Sequence, residues 1–177
     1  MRISFDDNWR FHLGDHAVPR ARNAGHLKAG YARGYAAPDA PDASWETLRL
    51  PHDWMVGMEP VPWEEGDQGF YPRGIGWYRK AFDIPEAWLG KKLYLEFEGI
   101  FRNSTVYLNG FDLGTHAGGY TPVIRDITDF VPRWKIQECD DPRPNATREI
   151  LAVRVDATQP EGWWYDGAGI YRHAWLH

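Results

Sequence analysis

The run Ser104-Thr105-Val106-Tyr107-Leu108-Asn109-Gly110-Phe111-Asp112-Leu113-Gly114 constrains this chain more than any other stretch. Val106 and Leu108 alternate with more polar neighbours, and successive side chains of a strand point to opposite faces, so these two point inward together. Asn109 and Gly110 both tolerate positive φ, which suits a two-residue hairpin turn. The run therefore predicts a strand over 104–108 that returns over 111–114. The same alternation recurs in Lys92–Glu98, with Leu93, Leu95 and Phe97 inward, and in Ile150–Asp156, with Leu151, Val153 and Val155 inward. Trp9–Leu13, Gly76–Phe82 and a final Ile170–Leu176 complete the set. Long 3.6-residue periodicity is absent. Asp126–Val131 predicts a single helical turn with Asp126 as its cap. Short alternating runs separated by turn residues predict an all-β sandwich. Residues 14–44, 55–75 and 132–148 are rich in loop-forming residues and read as long connections.

A length of 177 residues suits one domain over 1–177. Ten Trp, nine Tyr and eight Phe make 15% of the chain aromatic. Most of these rings belong in a core, and those outside it offer flat apolar faces with a polar edge, suited to stacking on sugar rings. The net charge of −5 comes without a basic patch, which argues against nucleic acid as a partner. Cys139 is the only cysteine, so no intrachain disulfide is expected. No secretory leader and no apolar run of membrane-spanning length is recognisable, so a cytoplasmic protein without membrane association is expected. His12 and His16 have helical ligand spacing, but Gly14 lies between them and three or four converging ligands are needed for zinc. No metal or other cofactor is expected. Asn103-Ser104-Thr105 and Asn145-Ala146-Thr147 match the N-glycosylation pattern.

The order of short motifs carries the functional reading. Leu50-Pro51-His52-Asp53-Trp54 precedes Gly74-Ile75-Gly76-Trp77-Tyr78-Arg79-Lys80-Ala81-Phe82. Leu95-Glu96-Phe97-Glu98-Gly99-Ile100 leads to Val106-Tyr107-Leu108-Asn109-Gly110. Gly114-Thr115-His116-Ala117-Gly118-Gly119-Tyr120-Thr121-Pro122 precedes Asp126-Ile127-Thr128, and Leu151–Val155 precedes Trp164-Tyr165-Asp166-Gly167-Ala168-Gly169-Ile170-Tyr171-Arg172. From about Trp9 to Leu176 this series resembles the N-terminal sugar-binding domain of glycoside hydrolase family 2, of the β-galactosidase/β-glucuronidase type. The resemblance implies a jelly-roll β-sandwich related to galactose-binding domains. In the family an immunoglobulin-like domain and a catalytic (β/α)₈ barrel follow in cis; neither lies within these residues. A carbohydrate substrate would be met through that parent enzyme.

A retaining glycosidase needs two carboxyl groups about 5–5.5 Å apart. The resemblance places that pair in the barrel. Of the local acids, Glu64-Glu65 point to opposite sides if extended, Glu96 and Glu98 share the outer face of a strand, and Asp140-Asp141 lie in a Pro-rich loop. No catalytic residue is therefore expected here. Two clusters are candidates for substrate binding or for facing the barrel. In Gly162-Trp163-Trp164-Tyr165-Asp166, consecutive aromatics cannot all enter one core, and the resemblance aims this loop at the barrel pocket. Trp163, Trp164 and Asp166 are its candidates. The second cluster is His52-Asp53, where a mutual hydrogen bond would fix the histidine tautomer; it reads either as positioning the same pocket or as bracing a loop. Arg172 is expected as an ion-pair partner inside the fold. Beside the accessory domain stand two alternatives, a free-standing carbohydrate-binding module and a purely structural buttress. The resemblance leaves the sugar open among galactosides, glucuronides, mannosides and related hexosides.

Overall fold

Strand β4, Ile75–Phe82, pairs residue for residue with β9, Glu149–Asp156, and these two strands form the middle of the larger sheet. The structure is a computed structural model that describes residues 2–15, 34–64, 66, 69–131, 148–159 and 165–177. The remaining strands are β1 Ile3–Ser4, β2 Trp9–Leu13, β3 Glu46–Leu48, β5 Tyr94–Phe97, β6 Ser104–Leu108, β7 Phe111–His116, β8 Val123–Asp126 and β10 Ala174–Leu176. They form two antiparallel sheets ordered β3-β2-β4-β9-β6-β7 and β1-β10-β5-β8. Among the described residues helix is confined to short 3₁₀ turns such as Trp54–Gly57 and Glu86–Trp88. The molecule is the all-β sandwich that the alternation predicts.

The two sheets meet face to face over one apolar core. Tyr78, Val106, Leu108, Leu151, Val153 and Val155 come from the larger sheet, and Leu95, Phe97, Val123 and Leu176 from the smaller. Trp9 lies fully buried in this core and donates its indole N–H to the Phe5 carbonyl at 2.7 Å, so no polar edge is left unpaired.

The outer face of the larger sheet is covered as well. Trp77 packs there with Trp45, Ala36 and Ala152. Arg79, two residues along the same strand face, is 1% exposed. A buried guanidinium costs several kcal/mol unless its donors are met. Here Nε bonds Asp42 at 2.8 Å, Nη1 bonds the carbonyls of Tyr35 and Ala37, and Nη2 bonds that of Pro38 at 3.1 Å. The last part of the predicted 14–44 loop is thus a strap: residues 34–42 wrap one arginine and seal the aromatic face beneath.

The Asn109-Gly110 hairpin forms as expected, with φ of 52° and 81°. Asn109 is nonetheless buried. Its amide donates to the fully buried Glu149 at 2.6 Å and its Oδ1 accepts from the Ile150 amide at 2.9 Å. The turn residue therefore also anchors the start of β9. The 126–131 turn is present too, with the Phe130 and Val131 amides on the Ile127 carbonyl and Asp126 Oδ1 accepting from Thr128 at 2.9 Å. The expected last strand is shorter than 170–176, because Gly169 bridges Phe101 and the chain enters β10 only at Ala174.

Asn109→Ala should destabilise the domain by about 3 kcal/mol, from a lost hydrogen bond to a buried charge and a left-handed backbone that alanine tolerates poorly. Urea unfolding of the 177-residue chain measures this, and a loss well under 1 kcal/mol would contradict the anchoring role.

Candidate functional site

Four connections meet at the end of the sandwich opposite the Asn109 hairpin: residues 50–54, 98–103, 117–122 and 165–173. Backbone pairing joins them. His52 N donates to the Ile170 carbonyl at 2.8 Å and Trp54 N to that of Ala168 at 3.0 Å. Phe101 and Gly169 exchange both bonds, at 2.8 and 2.7 Å. The Tyr171 hydroxyl donates to the Gly119 carbonyl at 2.7 Å, and Gly118 N donates to Asn103 Oδ1 at 3.3 Å.

His52 and Asp53 do not pair with each other. Asp53 Oδ1 accepts from Met55 N and from Ala168 N, both at 2.9 Å, capping the Trp54–Gly57 turn and gripping the last connection. A Cβ at residue 167 would collide with the Asp53 carboxylate, which explains the glycine there. His52 Nδ1 meets the Tyr78 hydroxyl at 2.7 Å. The Ile170 backbone also meets the Tyr78 hydroxyl. Burial lowers the His52 pKa despite the nearby Glu46 and Asp53 carboxylates, and burial raises that of Tyr78 well above 10. Gly169 passes between them with φ of 132°; a Cβ would lie 2.5 Å from both the His52 carbonyl oxygen and the Tyr78 hydroxyl.

Asp166 sits at the outer edge of this assembly, half-buried, beside the exposed Tyr165. Its Oδ1 accepts from the hydroxyl of Tyr120, which is 68% exposed. That bond to a carboxylate pushes the Tyr120 pKa up to about 12. Trp163 and Trp164 lie outside the described residues, as do Cys139, Asn145, Asp140-Asp141 and Glu65. Tyr120 escaped the sequence reading. Its one signal is an aromatic residue in the turn Gly118-Gly119-Tyr120-Thr121-Pro122, where no strand alternation could bury it.

The other sequence candidates take ordinary places. Glu96 and Glu98 face outward from β5 and are engaged by Arg2, by His177 and by the Trp175 indole N–H. Arg172 is exposed and forms no ion pair among the described residues, contrary to expectation. Asn103 is half-buried, with its Oδ1 accepting from Gly118 N. Among the described residues no three His, Cys, Asp or Glu are gathered as metal ligands, and no helix is long and apolar enough to cross a membrane.

Residues 4–137 match the family described as glycosyl hydrolases family 2, sugar binding domain. The chain belongs to glycoside hydrolase family 2. It is 39% identical over 99% of its length to the β-galactosidase BoGH2A of Bacteroides ovatus, and covers 18% of that protein. It is 32% identical over 97% of its length to a putative β-glucuronidase of Formosa agariphila, covering 14% of it. A β-glycosidase crystal structure from Bacteroides vulgatus superposes with a TM-score of 0.77 at 33% identity, over 100% of this chain and 20% of the other. The chain thus spans less than a quarter of these relatives and corresponds to the family's N-terminal sugar-binding domain.

Two measurements check the site as described. Tyr120 should ionise near 12, and Asp166→Asn should bring it down toward the ordinary 10, as read by ¹³C-tyrosine NMR. A Tyr120 that titrates near 10 in both proteins would remove the bond. For His52 the folded pKa lies below the ordinary 6.5, so the unfolded chain binds the proton first. Stability contributed by neutral His52 is therefore present above about pH 6.5 and lost as pH falls toward the folded value, at up to about 1.4 kcal/mol per pH unit. Urea unfolding at pH 7.5 and pH 5.5 should show a smaller loss in His52→Gln than in the parent.

Proposed function

We propose that this domain acts as a non-catalytic accessory part of a retaining family 2 glycosidase, holding the 163–166 loop against the substrate end of a barrel carried in cis. The observation that carries the reading is the knot of four connections. It fixes the backbone that follows Asp166, at Ala168, Gly169 and Ile170, while Tyr165 and Tyr120 stay exposed beside Asp166. Rigid backbone under exposed aromatic and acidic groups suits contact with sugar hydroxyls, because ordering costs little at the moment of binding. Asp166 supplies an acceptor, and Trp163 and Trp164 supply stacking or barrel-wall surface. His52 and Asp53 serve from beneath: Asp53 grips Ala168 and His52 grips Tyr78, so both act on the pocket through the backbone they hold. The relatives named for β-galactosidase and β-glucuronidase activity support a hexoside as the ligand class. Residues 1–177 form one domain in this reading, with the immunoglobulin-like domain and barrel as its intramolecular partners, in the cytoplasm.

In the intact hydrolase, Asp166→Asn should lower kcat/KM about 10- to 150-fold, the equivalent of a lost charge-assisted hydrogen bond. Trp164→Ala should lower it roughly 5- to 150-fold, as for one large apolar contact. Neither change should shift thermal unfolding of the 177-residue chain by much. Unchanged kinetics per folded molecule, beside a much lower unfolding temperature, would make the loop structural. The chain by itself should hydrolyse no aryl glycoside above background, since a carboxylate pair at the required spacing is expected only in the barrel. Hydrolysis abolished by replacing one of its own carboxylates would overturn that.

A further inference from the structure

We propose that Tyr120 is a positioning residue for the glycosidase reaction: its hydroxyl orients the Asp166 carboxylate toward a sugar hydroxyl without neutralising it. The inference rests on the reading of Asp166 as a substrate contact and adds a second residue to it.

Tyr120 is an expensive residue to leave in water unless it has a task there. Tyr120 is 68% exposed, yet the backbone leading into it is held and the next side chain is bonded. Gly118 N is bonded to Asn103, the Gly119 carbonyl is bonded to Tyr171, and Thr121 Oγ1 meets His116 Nε2 at 3.0 Å. The ring stands edge-on to Phe101 with centroids 5.7 Å apart, and a side chain at residue 119 would collide with that same Phe101 ring. The hydroxyl is thus delivered to Asp166 from a fixed base.

The charges favour this arrangement. Asp53 lies directly beneath Gly167, so two carboxylates flank one glycine. A lysine or arginine in place of Tyr120 would hold Asp166 but cancel its charge. A phenol donates one hydrogen bond and leaves the carboxylate negative, and hydrogen bonds to charged groups are the stronger ones. Because its proton is held up to about pH 12, Tyr120 remains a donor at any pH at which the enzyme works. The resulting acceptor suits a hydroxyl on the sugar and disfavours a carboxylate at that position.

The test is a double-mutant cycle in the intact hydrolase with an aryl glycoside that it cleaves. Tyr120→Phe removes only the hydroxyl and keeps the ring on Phe101. It should lower kcat/KM about 5- to 20-fold in the parent, less than the outright loss of a hydrogen bond to a charged group, because Asp166 itself remains. In the Asp166→Asn background the same change should cost less than about 2-fold, because Tyr120 acts through Asp166. Equal losses in both backgrounds, tracking a lower unfolding temperature, would show a structural role and overturn the proposal. If Asp166→Asn is damaging and Tyr120→Phe is silent, Asp166 stands as a contact and the positioning role falls. If Asp166→Asn is itself silent, the reading of Asp166 fails and the proposal with it.

Discussion

One carboxylate oxygen organises the end of the sandwich opposite the Asn109 hairpin. Asp53 Oδ1 accepts from amides that lie on either side of most of the chain, at Met55 and at Ala168. Both donors belong to backbone that no strand ladder satisfies, and unpaired buried amides are costly. The bond therefore does two things at once: it ends the connection after β3 in a tight turn, and it fixes the height at which the last connection crosses the sandwich. The neighbouring glycines follow from it. Residue 167 has no room for a Cβ above the Asp53 side chain, and residue 169 has none between the His52 carbonyl and the Tyr78 hydroxyl. Asp166 is joined to this backbone by one peptide, and the Tyr120 hydroxyl bonds to it.

The architecture was legible where an element is long enough for period-two alternation to repeat. β4, β6 and β9 were evident from their own residues, and Asn109-Gly110 marked its turn. The short elements were not. β1 and β3 hold two and three residues, too few for any pattern, and are recruited by pairing with β10 and β2. β8 was hidden because Val123, Ile124, Arg125 and Asp126 do not alternate cleanly in polarity; Ile124 faces solvent at 55% exposure. The strap over 34–42 read as loop because its partner is a side chain, not a strand. Nothing in Gly-Tyr-Ala-Ala-Pro announces that its carbonyls converge on Arg79.

The sequence marked connections that meet at one end of the sandwich more readily than the contacts between them. His52-Asp53 and Asp166 do lie together at one end, yet adjacency in sequence suggested that His52 and Asp53 bond to each other. On extended backbone their side chains diverge, and each finds its partner on a different element, Tyr78 on β4 and the amide of Ala168. Tyr120 was invisible for the converse reason: it is 46 residues from Asp166, and no local rule links a turn tyrosine to an acid so far along the chain.

The division of labour between Asp53 and the rim above it has a consequence for how such a domain can change. The end is braced by backbone pairing, by the half-buried side chains of Asp53, Tyr171 and Asn103, and by glycines 167 and 169 that cannot accept a side chain. The groups presented outward, Tyr120, Tyr165 and Asp166, are side chains whose replacement leaves that bracing in place. The outward residues can therefore be rewritten one at a time, while Asp53, Gly167 and Gly169 stay fixed. The sandwich behaves as a chassis with an exchangeable lip.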